Sequence, residues 1–193
     1  MSECSSLPYV RGDVADAQVP TTADVRPGAW IGPMGPGDGD AVAACFAGLS
    51  PAALHRRFHS PVHHVSDAFL ADLARRAADG LVLLARSGDR VVGVAELAGT
   101  SAEPGTYEAA VVIADDWRRR GVAATLLREV GRRVPGSRVR ARIQHDNTGA
   151  IGLARTLVPA ADRHVDDGLV VELTLPGQAR SSTSSYPARR HAM

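Results

Sequence analysis

Glu108 to Leu127 reads EAAVVIADDWRRRGVAATLL, and this stretch decides the fold. Tyr107 to Ala114 is an apolar run of strand length. Asp115-Asp116 turns the chain. Arg119 to Val134 then carries a helical period, with Val122, Ala123, Leu126, Leu127 and Val130 on one face, until Pro135-Gly136 stops it. This order puts a helix N-terminus at the end of a strand. The first turn of a helix leaves backbone N–H groups without intrahelical acceptors, and the helix dipole favours anions there. Gly121 and Ala123 are small, so a diphosphate can approach the backbone closely. Arg118, Arg119 and Arg120 crowd cations at an end where they oppose the dipole, a conflict that a bound anion relieves. The plainer reading is a solvated basic helix start.

Outward from this stretch the periods alternate. Downstream, Arg138 to Gln144 reads as a strand, Thr148 to Leu157 as a helix and Leu169 to Leu175 as a final strand. Upstream, Asp24 to Met34 holds a first strand around Trp30-Ile31, and Asp40 to Leu49 is helix-like. Ser50-Pro51 starts a short helix, since Ser caps and Pro suits the first helical position. Ser66 caps another, with Phe69, Leu70, Leu73, Ala74 and Ala77 in one stripe and Gly80 at its end. Leu81 to Ala85 and Val91 to Leu97 form a hairpin around Ser87-Gly88-Asp89. Helices, an antiparallel meander, helix, strand, helix and strand predict a mixed α/β fold. Residues 1–22 read as a flexible leader, 23–176 as one domain and 177–193 as a disordered tail.

Composition bounds the function. The 193 residues include 22 basic and 21 acidic side chains for a net of +1, and every basic one is arginine. Schiff-base lysines, P-loop lysines and lysine-bound cofactors are therefore excluded. The near-neutral balance argues against a strongly basic nucleic-acid binder, and the basic segments lack interleaved aromatics. No apolar stretch approaches transmembrane length, and no secretory signal opens the chain. A cytoplasmic location is expected, and the Arg, Ala and Gly bias suits a GC-rich bacterial genome. Cys4 and Cys45 make neither a disulfide framework nor a metal pattern. His55, His59, His63 and His64 cluster, but Pro61 interrupts their helix and no acidic or Cys partner completes a ligand set, so no metal is expected. Lining an acceptor site is a second reading for them. Residues 118–142 hold nine arginines against Glu129 alone, a local net of +8. Ion pairing and attraction of phosphates both account for that density.

Arg118-x-x-Gly121-x-Ala123 after the Val-Val-Ile-Ala-Asp-Asp-Trp strand resembles the acetyl-CoA motif of the GNAT acetyltransferase superfamily. Arg140 to Leu157, RARIQHDNTGAIGLARTL, resembles that family's next strand and helix, and the likeness spans about residues 24–175. It implies the GNAT fold: a mostly antiparallel twisted sheet, splayed at the acetyl-CoA site and flanked by helices. It also implies acetyl-CoA as co-substrate, with Val111, Val112 and Ile113 along the pantetheine arm. Arg118, Arg119, Arg120, Gly121, Val122, Ala123 and Ala124 would hold the diphosphate, and Asn147 would lie near the cofactor sulfur, although Asn147 is equally suited to cap a helix. Upstream, LSPAALHRRF (Leu49 to Phe58) is similar to a block of bacterial Pat-type protein-lysine acetyltransferases, with Ala52 and Ala53 replacing an acidic and a hydroxyl residue.

The resemblance implies direct transfer, in which an amine attacks the thioester and a base removes its proton. Glu108 is the first candidate base, because similar protein acetyltransferases carry a glutamate at this place, ten residues before the Arg-x-x-Gly. Glu96 on the preceding strand is the second. A backbone N–H between Val111 and Ile113 would meet the oxyanion. Where many members place a general-acid tyrosine, seven residues after the asparagine, this chain has Ala154. The expected acceptor is a primary amine, preferably a protein lysine. The alternatives are a small-molecule amine acceptor and a non-catalytic acyl-CoA-binding regulatory module. A homodimer is compatible with the sequence. Having no lysine, the chain itself offers no side-chain amine.

Overall fold

The structure, a computed structural model, describes residues 23–25, 28–101, 103–157, 165–166 and 170–171. The leader, the tail and most of the predicted last strand lie outside them. The main sheet has six strands in sequential order: β1 (Ala23–Val25), β2 (Ala29–Pro33), β3 (Val82–Ser87), β4 (Arg90–Gly99), β5 (Thr106–Ile113) and β6 (Arg138–Arg140). The first five are antiparallel neighbours, and β6 joins β5 in parallel. Val165–Asp166 and Val170–Val171 pair separately as β7 and β8. This is the mixed α/β, mostly antiparallel plan that the sequence predicts, revised first near its start. The region from Asp24 to Met34 holds parts of two strands, because Gly28 at φ +86° turns the chain between them.

β3 and β4 are buried almost throughout, which explains their near-continuous apolar sequence. Helix α4 (Val122–Arg133) covers one face, packing Val122, Leu126 and Val130 with Leu83, Val92 and Leu97. Helices α1 (Gly39–Ala47), α2 (Pro51–Phe58) and α3 (Asp67–Ala78) cover the other, around Val42, Phe46, Leu54, Leu73, Leu84 and Val94. Gly93 lets α4 approach: a Cβ there would stand 2.8 Å from Ile113 Cδ1 and 3.2 Å from Leu126 Cδ1. The two predicted caps form as serines should. Ser50 Oγ accepts from Ala53 N–H at 3.3 Å ahead of Pro51, and Ser66 Oγ accepts from Phe69 N–H at 3.2 Å.

Candidate active site

The sheet splits between its last two strands. β5 and β6 pair only from Thr106–Arg138 to Glu108–Arg140. Beyond that, β5 runs on to Ile113 with its outer edge unpaired, and the chain after Arg140 leaves the sheet. The predicted strand to Gln144 therefore ends four residues early. Ile143 and Ala141 pack with Ala150, Ile151 and Ala154 of helix α5 (Thr148–Leu157) instead of against β5. The wedge between them is a cleft of about 1240 Å³.

At one end of the cleft lies the arginine-rich turn. Asp115–Trp117 makes a single 3₁₀ turn, Arg118 is extended, and Arg119 and Gly121 both take positive φ, +58° and +82°. The helix predicted from Arg119 therefore begins at Val122, with Thr125 N–H making the first bond to the Gly121 carbonyl at 3.1 Å. The amides ahead of Thr125 are left without intrahelical acceptors, in a loop of the winding that suits an anion. Arg118 is held by Asp115 at 2.9 Å, and Arg120 stacks 4.8 Å over the Trp117 ring. Asn147 lines the cleft and caps α5, its Oδ1 accepting from Ala150 N–H at 3.3 Å.

The other end is set by two carboxylates on one face of the sheet. The register puts Glu96 opposite Ala110 and Glu108 opposite Ala98, so the two are diagonal neighbours. Their environments differ. Glu96 is 3 % exposed and carries two guanidiniums, Arg57 of α2 on Oε1 and Arg76 of α3 on Oε2 at 2.5 Å. Glu108 has a half-exposed side chain, with Arg142 Nε at 3.6 Å. Arg57 lies 4.8 Å over the Phe58 ring. Burial foremost, then repulsion from Arg76, lowers its pKa to about 10, against an upward pull from Glu108. Sequence reasoning missed Arg57, Arg76 and Arg142 as partners, although Arg57 stands in the quoted LSPAALHRRF block.

The dense positive segment is partly consumed by ion pairs. Arg138 and Arg140 both hold Glu103, at 3.0 and 2.7 Å, and the Arg140 contact foremost keeps that carboxyl below the usual range. Of the clustered histidines, His55 and His59 line the cleft, and so does His145 further along the chain. Among the described residues no cluster of His, Cys, Asp or Glu is arranged to hold a metal. Ala154 is buried against the cleft and offers no hydroxyl. No helix among the described residues is long and apolar enough to cross a membrane.

Residues 49–157 match the acetyltransferase (GNAT) family. The chain belongs to that family. It is a GNAT acetyltransferase, with acetyl-CoA as co-substrate. No curated protein matches it. Among solved structures, the GNAT domain of PAT from S. lividans superposes with a TM-score of 0.65 at 20% identity, covering 76% of this chain and 90% of that one. YncA from Salmonella typhimurium, determined with its cofactor acetyl-CoA, gives 0.64 at 19%, covering 82% and 99%. A phosphinothricin acetyltransferase from Sinorhizobium meliloti, in complex with acetyl-CoA, gives 0.61 at 15%, covering 77% and 89%. At these identities the likeness concerns the fold.

Proposed function

We propose that the chain transfers the acetyl group of acetyl-CoA to a primary amine, preferably a protein lysine, with Glu108 as the base. The observation that carries this reading is the contrast between the two carboxylates. Glu96, the second candidate base, is sealed under two arginines, whereas Glu108 stands half-exposed on the cleft wall. A base must be within reach of the proton it takes, directly or through one water.

The residues present fit the co-substrate. The amides and cations from Arg118 to Ala124 suit the diphosphate, and the unpaired edge at Val111, Val112 and Ile113 suits the amide-bearing pantetheine arm. A backbone N–H on that edge donates to the thioester oxygen as it gains charge. Glu108 removes the proton of the attacking amine. The leaving thiolate needs no protein acid at the Ala154 position, because a thiol near pKa ~8.5 is a good leaving group at neutral pH. Asn147 faces the same cleft while capping α5. Lysine as the acceptor rests on the LSPAALHRRF block, whose Ser50 and Arg57 bind the acceptor-side helix to the site.

Buried Ala154 favours a second reading, a module that binds acetyl-CoA without turnover. Calorimetry with acetyl-CoA, followed by thiol-release assays on lysine peptides and small amines, separates the two. Binding with acetylation of the peptides is expected. Turnover of small amines alone would move the acceptor, binding without any turnover would favour the module, and no binding would overturn both.

A further inference from the structure

The cleft has an apolar hollow on the side of the sheet that faces α2. Glu108, Ala110 and Val112 alternate along β5 and so share that face, and the register adds Ala98 opposite Glu108. Ala53 and Phe58 of α2 line the same cleft and pack in the same cluster as Val112. Ala98 and Ala110 both stay partly exposed, so the floor of the hollow is open there. Glu96 stands opposite Ala110 but is buried. Its carboxylate is taken by Arg57 and Arg76, and Arg76 is paired with Asp72 as well, so the charges at this end are satisfied among themselves. Ala53 occupies the place of the hydroxyl residue in the LSPAALHRRF block, so the α2 wall presents a methyl group there.

The four substituents of the reacting carbon decide what enters this hollow. With the pantetheine arm along Val111 to Ile113, the sulfur arrives from the outer edge of β5. The thioester oxygen turns to a backbone N–H of that edge. The attacking amine comes from the Glu108 side, within reach of its carboxylate. The acyl chain takes the direction left, toward Ala110, Ala98 and the inner face of α2. We propose that the hollow is an acyl-chain site wider than an acetyl group, and that the enzyme takes the short linear thioesters propionyl-CoA and butyryl-CoA at least as well as acetyl-CoA. This rests on the transfer reading above, with Glu108 on the amine side. The step is the same for each thioester. The C–N bond forms, the C–S bond breaks, the amine proton passes to Glu108, and the sulfur leaves with the bonding pair as the CoA thiolate. Each added methylene leaves water for a surface of Ala, Val and Phe, a gain of about fourfold in affinity.

Calorimetry without acceptor reads the site apart from the chemistry, with acetyl-, propionyl- and butyryl-CoA as probes. Affinity should rise by about fourfold per methylene, with a heat-capacity change that grows more negative along the series. Values of kcat/KM with a lysine peptide should follow the same order. Ala110→Val suits a strand but fills the hollow, and should reverse the order so that acetyl-CoA binds best. Ala98→Val should act in the same sense. Ala53→Ser restores a hydroxyl at nearly the same volume and should shrink the gain per methylene. If Ala110→Val does not fold, Ala98→Val and Ala53→Ser decide. Wild-type affinity that falls from acetyl-CoA to propionyl-CoA overturns the proposal, and so does an order that neither valine variant moves. The transfer reading fails separately. A series that binds as stated, with no thiol released on any amine, leaves the acyl site standing and removes the chemistry. Acetylation of the peptide with propionyl-CoA excluded does the converse.

Discussion

Ser50 and Asp115, sixty-five residues apart, are joined by two hydrogen bonds: the Ser50 N–H donates to Oδ2 at 2.8 Å and its hydroxyl donates to Oδ1 at 3.2 Å. The same Ser50 oxygen caps α2, and the same aspartate holds Arg118 at 2.9 Å. This contact thus ties the start of α2 to the turn that opens the arginine loop. Ser50→Ala should cost about 1 kcal/mol of stability for the lost cap, read from urea unfolding. Asp115→Asn should weaken acetyl-CoA binding several-fold in calorimetry, because Arg118 loses its fixed partner. Unchanged affinity in Asp115→Asn would show that the tie ends at the helix.

Gly121 and Arg119 should respond in opposite senses. Nothing lies within 4 Å of a Cβ at Gly121, so its requirement is φ +82° and not space. Gly121→Ala should therefore lose about 1–2 kcal/mol, the ordinary cost of a left-handed residue. Arg119→Gly relieves φ +58° and should melt no lower than wild type, while binding acetyl-CoA more weakly for want of a cation. Thermal unfolding with calorimetry checks both, and a Gly121→Ala protein as stable as wild type would contradict the loop geometry.

Gly93 is constrained by space alone. Gly93→Ala forces its methyl against Ile113 and Leu126, between β5 and α4. Overpacking of this kind costs about 1–3 kcal/mol. A urea midpoint equal to wild type would mean that α4 can move away from the sheet without penalty.

Cys45 adds a pH dependence of stability. Burial foremost pushes its thiol from 9.0 up to about 11. The unfolded thiol ionises first as pH rises, so the stability tied to the neutral thiol is complete below pH 9 and is lost progressively toward pH 11. Cys45→Ala should flatten this part of the stability profile. A parallel decline in both proteins would assign the loss to other groups.

The fold was legible where local rules dominate. Ser50-Pro51 and Ser66 start helices because their hydroxyls reach the third residue on, a purely local event. The Ser87–Asp89 turn and the buried β3–β4 hairpin follow from short-range pattern in the same way. Legibility failed where the answer depends on distant chain. Arg138 to Gln144 has strand character throughout, yet only Arg138–Arg140 pairs, because α5 draws Ile143 away. Arg119 fits the helical period but sits outside the helix, since two positive φ angles are not visible in periodicity. In the site, Glu108 and the arginine loop were readable from one contiguous stretch. The burial of Glu96 was not, for its partners Arg57 and Arg76 come from other helices.

If the half-exposed Glu108 carboxylate on β5 removes the acceptor proton, Glu108→Gln must lose turnover while keeping its co-substrate. Thiol release from acetyl-CoA with a lysine peptide should be measured beside calorimetric acetyl-CoA affinity. A fall in kcat of about 10²–10⁴ is expected, the usual weight of a general base, with acetyl-CoA affinity unchanged. A Glu108→Gln protein that binds acetyl-CoA and turns over at the wild-type rate would contradict it.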